Sequence, residues 1–211
     1  MKPAKASSGE IGPALSYLAR HGIQQALDDR DLLAGMGLLS TDSLHLRKEL
    51  SAIILFAVIA AVMQSYNLRK WGKTLLDDMH FQFFEAVRRS GELPEPELEG
   101  FESFLHSRYR QYSGALGREI TGAGLEKFAF VAHGDLRGKE TDDFAEALPV
   151  FAQIFMPTFE GVLETLRDTR LADEPVRRWT IERQPSGATR MTLGAKRKSL
   201  LQRLRSLLRW N

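Results

Sequence analysis

AIILFAVIAAVM, residues 52–63, is apolar without a break, with Arg47-Lys48-Glu49 before it and Gln64, Ser65 and then Arg69-Lys70 after it. A helix that is apolar on every side has no face to offer water, so it belongs inside a protein core or a membrane. Length separates the two: crossing the hydrocarbon takes about 20 apolar residues, and this run has only twelve before Gln64. The stretch therefore predicts a helix at the centre of a bundle. Asp42 or Ser43 is placed to cap it, because a side-chain oxygen there accepts from an unpaired N–H of the first helical turn.

Outward from this helix the pattern stays helical. Leu75, Leu76, Met79, Phe83, Phe84 and Val87 recur at helical spacing up to Ser90-Gly91. The acidic connector GELPEPELEG follows, its two prolines disfavouring helix before them. Phe101, Phe104, Leu105, Tyr109, Tyr112 and Leu116 form the next stripe, and a shorter helix is expected over 125–136. Thr141-Asp142 resembles an N-cap before Phe144, Leu148, Phe151 and Phe155, with Pro149 predicted to kink that helix and Pro157 to open the next. On the N-terminal side, residues 11–39 carry shorter helical patterns interrupted at Gly12-Pro13, Gly22, Gly35 and Gly37. From Asp173 the texture changes to alternating and β-branched residues around Gln184-Pro185-Ser186-Gly187, which predicts a small hairpin-like or irregular element. The expected organisation is a disordered start at 1–9, a helical domain at 10–172, a connector at 173–195 and a basic amphipathic helix at 196–211. The fold class is all-α, a multi-helix bundle around a central apolar helix.

Composition narrows the function classes. With 43% apolar and 27% charged residues the chain is neither disordered nor a multi-spanning membrane protein. It has no cysteine, which excludes disulfides, thiolate metal sites and a cysteine nucleophile. No secretory signal stands at the N-terminus, and a cytoplasmic location is expected. The five histidines, at 21, 45, 80, 106 and 133, are scattered one to a segment. His45 with Glu49, and Asp77 with His80, share helix faces, but metal-binding bundles use several carboxylates and two Glu-x-x-His motifs, so no metal site is expected. The run HGDLRGKE is one residue short of a phosphate loop and has Glu140 where a Ser or Thr would hold magnesium. Its glycines read as helix ends. In RYRQY, residues 108–112, arginines beside tyrosines suit base stacking, yet the same tyrosines complete an apolar stripe and are assigned to the core. No cofactor site is expected, and the chain reads as a non-enzyme.

The last sixteen residues, KRKSLLQRLRSLLRWN, stand apart. All eight charged side chains after Glu182 are basic, leaving 21 basic against 27 acidic groups in residues 1–182, a net of −6. Leu200, Leu201, Leu204, Leu207 and Leu208 fall on one helical face, with Lys198, Arg205 and Arg209 opposite, Arg203 on the flank, Trp210 at the edge and Lys196-Arg197 leading in. Such a helix suits a protein groove, its own or a partner's, ahead of an anionic membrane surface, with nucleic acid third because it leaves the leucines unexplained. Lys196, Arg197, Lys198, Leu200, Leu201, Arg203, Leu204, Arg205, Leu207, Leu208, Arg209 and Trp210 are thus the candidate partner-binding residues. The functional expectation is a helical interaction or adaptor protein, oligomeric, whose partner is another protein or a second copy. The alternatives are a binder of a small apolar ligand or a helical enzyme, with His80, Asp77 and Arg108 as the polar groups to inspect, and a peripheral membrane protein using the terminal helix.

Overall fold

A computed structural model describes residues 4–65, 71–117, 122–140, 143–167, 169–171, 179–183 and 189–193. It is an all-α multi-helix bundle with a few short strands. The central helix α3 runs Ser43–Gln64 and buries Leu50, Ile53, Ile54, Leu55, Ala57, Val58, Ala61 and Val62. Asp42 caps it, its carboxylate accepting from the His45 N–H at 2.8 Å. Around it pack α1 (Ser8–Asp28), followed by the short α2 (Arg30–Gly35), and α4 (Gly72–Ser90), α5 (Glu95–Leu116), α6 (Gly122–Arg137) and α8 (Met156–Arg167). Because neighbours surround most of α3, residues 52–58, Ala61 and Val62 need no polar face, and their burial removes side chains from water at about 25 cal/mol per Å². Ile59 and Ala60 are partly buried, and Met63, at the end of the run, is 52% exposed.

The stripes predicted for α4 and α5 face inward. Leu75, Met79, Phe83 and Val87 of α4, and Phe101, Leu105, Tyr112 and Leu116 of α5, are buried. Gly91, with φ of 67°, adopts the left-handed conformation that ends α4 at little steric cost. Four rings gather on Phe56 of α3: Tyr109, Tyr112, Phe128 and Phe155, with centroids 5.6–6.3 Å away. Tyr109 and Tyr112 of RYRQY therefore pack toward the core, as the stripe requires.

Three local features differ from the sequence pattern. Gly12-Pro13 does not interrupt the first helix, since α1 continues through both. Pro13 lies early in the helix, and Gly12 lets α1 and α4 approach closely: a Cβ built there would lie 2.9 Å from Asp78 Cβ. Gly12→Ala is expected to lower stability by about 1–3 kcal/mol in urea unfolding through overpacking, although alanine is the better helix former; an unchanged midpoint would show that the two helices yield freely. The cap of α7 (Phe144–Pro149) is Asp143, whose carboxylate accepts from the Ala145 and Glu146 N–H groups; Thr141 and Asp142 lie outside the described residues. After Pro149 the chain turns as a π-helical segment, Val150–Phe155, before α8. The helix shifts register there and keeps Val150, Ile154 and Phe155 buried.

At the N-terminus, where the sequence places a disordered stretch, β1 (Ala4–Ala6) pairs in parallel with β2 (Thr169–Leu171), and α1 already begins at Ser8. Trp179–Arg183 (β3) pairs antiparallel with Thr189–Leu193 (β4), and residues 184–188 between them lie outside the described residues. The predicted amphipathic helix at 196–211 also lies outside them. Among the described residues no helix is long and apolar enough to cross a membrane.

Candidate functional site: an ionic cluster beneath an open cleft

Glu49 sits one turn before Ile53 on α3, and packing of its neighbours carries the carboxylate inside, where only 1% of the side chain is exposed. An isolated buried carboxylate is strongly disfavoured. Arg108 of α5 compensates it with a two-pronged contact, Nε to Oε2 at 2.9 Å and Nη2 to Oε1 at 2.5 Å. The same guanidinium reaches a second acid: Nη1 lies 2.9 Å from Asp135 Oδ1 on α6, and also donates to Gln111 Oε1 at 2.9 Å. Burial works against the charge on Arg108, but the hydrogen bond and charge of Glu49 hold its pKa above the ordinary arginine value. Its plane also lies over the Phe104 ring, 5.3 Å from the centroid.

One guanidinium thus serves two carboxylates, and they are not equally served. Glu49 has both oxygens bonded to Arg108, whereas Asp135 meets the guanidinium through Oδ1 alone. Burial pushes the Asp135 pKa up to about 6; Arg108 pulls it down, Glu49 pushes it further up, and Gln111 and Tyr112 restrain the rise.

Above this cluster opens a cleft of about 600 Å³, lined by His45, Arg108, Gln111, Phe130, Val131, Gly134, Asp135, Gly138, Lys139 and Glu140. The end of α6 shapes it. Gly138, at φ of 67°, terminates the helix, and the Lys139 N–H closes back on the Gly134 carbonyl at 3.1 Å. The glycines of HGDLRGKE therefore serve a helix end, as their pattern predicts. His45 closes one wall by donating from Nε2 to the Asp135 carbonyl at 2.8 Å.

The cleft runs on into an apolar surface. The Phe130 ring, in its lining, lies 5.7 Å from Phe144 of α7. Phe144 and, one turn on, Leu148 are each 42% exposed. Leu39 is 63% exposed, and its loop is held beside α7 where Gly37 approaches the Glu146 carboxylate. Asp42, Glu140 and Asp143 are exposed acids on this side, against Lys139.

Of the polar groups singled out in the sequence, Arg108 lines the cleft, and His80 and Asp77 do not. Asp77 is exposed on α4. The partly buried His80 bonds the Leu76 carbonyl through Nδ1 at 2.9 Å and the Tyr109 hydroxyl through Nε2 at 3.1 Å, and burial lowers its pKa to about 4. His45 and Glu49, neighbours on α3, part company: the first goes to the end of α6 and the second to Arg108. Among the described residues no group of three or more acids and histidines is placed to hold a metal. Asp135 is the residue that sequence reasoning passed over; the available signal was Glu49 itself, an acid one turn from a wholly apolar run, which demands a cationic partner elsewhere. The candidate partner-binding residues at 196–210 lie outside the described residues. No protein-family model matches the chain, and no curated protein or solved structure matches it.

Proposed function

We propose that this protein is a non-enzymatic helical interaction protein, and that the cleft together with Phe144, Leu148 and Leu39 is its docking face. The continuity of cleft and exposed apolar surface through Phe130 and Phe144 carries this reading. An exposed apolar area rimmed by polar groups is the usual mark of a protein-binding surface, and the acids Asp42, Glu140 and Asp143 favour a basic occupant. A helix with leucines on one face and Lys/Arg on the other suits such a surface, and residues 196–209 supply that pattern within the same chain. The terminal segment, from this chain or from a second copy, is thus the natural first occupant. A small ligand, by contrast, would need the cleft alone and leave Leu148 uninvolved.

The absence of native cysteine makes a direct test clean. The double variant Leu148→Cys with Leu204→Cys is expected to crosslink under mild oxidation several-fold faster than Tyr17→Cys with Leu204→Cys, and more slowly at high salt. Gel mobility then separates a bridge within one chain from one between two copies. Equal rates for the two pairs would sink the proposed contact.

A further inference from the structure

We infer that Glu49, Arg108 and Asp135 form a one-proton latch: a single proton, taken up at Asp135, turns the shared cluster from a net charge of −1 to neutral and so favours the closed packing of α3, α5 and α6 around it. This is independent of what docks on the cleft.

With both acids ionised the cluster carries one cation against two anions in a largely buried setting, a net of −1 that burial penalises. One proton makes it neutral. Hydrogen bonding then decides where the proton goes. Glu49 accepts from Arg108 at both oxygens, and protonating it would forfeit a two-pronged, charge-assisted contact. Asp135 meets the guanidinium through Oδ1 alone, which also accepts from Gln111 at 3.5 Å, and Tyr112 lies beside the same carboxylate. A proton on Asp135 therefore costs the cluster less than one on Glu49. Access is provided by geometry, since Asp135 and Arg108 both line the open cleft.

The groups facing Asp135 come from every neighbouring element. From α3 there are Glu49 and His45, the latter donating to the Asp135 carbonyl; from α5 come Arg108, Gln111 and Tyr112; and Lys139 and Glu140 stand at the rim. Burial and Glu49 together outweigh Arg108, which places the ionisation at about 6. The sign follows. Because the folded pKa lies above the ordinary 3.8, the fold binds more protons than the unfolded chain between those values. Stability from Asp135 is therefore complete below about 3.8 and is lost as pH rises through about 6. His80 has the opposite sign: its pKa is lowered from 6.5 to about 4, so its contribution is lost as pH falls across much of the same window. Global stability mixes the two, and the latch must be read at the residue itself.

The test is a carboxyl-carbon NMR titration of the full chain from pH 3 to 8, with the Arg108 Nε resonance followed in parallel. The wild-type protein is expected to show Asp135 titrating near 6, with Arg108 Nε moving at the same midpoint. In Glu49→Gln, which removes the competing anion but keeps a hydrogen-bonding partner, Asp135 is expected to titrate clearly below the wild-type midpoint, toward the ordinary carboxylate range, with burial alone left to oppose Arg108. A wild-type Asp135 midpoint in that ordinary range, or a midpoint unmoved by Glu49→Gln, would overturn the latch. Should Glu49→Gln lose its chemical-shift dispersion, Asp135→Asn decides: it must abolish the step at Arg108 Nε, and persistence of that step rejects the inference.

Discussion

Arg108→Leu is expected to lower the stability of this protein by about 3–5 kcal/mol at pH 7, the range typical of stranding a buried charge. The reason is what remains behind. Glu49 is 1% exposed and has no cation besides Arg108 within salt-bridge distance among the described residues, and Asp135 would lose its ion-pair partner at the same moment. The guanidinium is itself 23% exposed, so some water can follow the vacancy, and the lower half of the range is the more natural landing point. Urea unfolding at pH 7 and again at pH 5 supplies the check, because protonating the stranded acids should shrink the loss. Adding Glu49→Met to Arg108→Leu should return most of the stability, since a well-packed apolar pair commonly replaces a buried ion pair without penalty. A loss under 1 kcal/mol for Arg108→Leu would mean that Glu49 is solvated in the native protein.

The second large effect is expected from Phe128→Ala, at about 3–5 kcal/mol. Phe128 is fully buried, and its ring lies 4.8 Å from Phe155, 5.4 Å from Tyr112 and 6.0 Å from Phe56. Those three rings come from different helical elements, so no single movement closes the void left by deleting the fourth. For a chain of 211 residues such a loss corresponds to a fall in melting temperature of about 10 °C or more by calorimetry. Phe128→Leu, which keeps most of the volume, should cost less than half as much. Phe130, two residues on, belongs to the cleft wall, so Phe130→Ala should be much milder. Similar losses at 128 and 130 would mean that α6 is rotated from the orientation described.

These expectations separate what a sequence exposes from what it conceals. The burial of residues 52–58 and of Ala61 and Val62 was legible because hydrophobicity and helix period are local properties, and so were the Asp42 cap and the inward stripes of α4 and α5, whereas the exposure of Met63 at the end of the run was not. Continuity of α1 through Gly12-Pro13 was not, because it depends on α4 approaching where glycine leaves room. The pairing of β1 with β2 escaped for a related reason, its strands being three residues each and far apart in the chain. The same limit hid the candidate site. Arg108 was noticed as a neighbour of tyrosines and Glu49 as a neighbour of His45, yet their contact spans 59 positions. Asp135 drew notice only as part of a glycine-rich run.

The sequence by itself determined the bundle, its central helix, the Asp42 cap and the segregation of basic charge at the C-terminal end, since each follows from spacing along one stretch of chain. Only the tertiary structure decided that Glu49 and Asp135 share one guanidinium and that a cleft opens above them beside Phe144 and Leu148. Charge pairing and cavity shape arise between helices, and nothing in the local pattern of any one helix specifies which residues of the others it will meet.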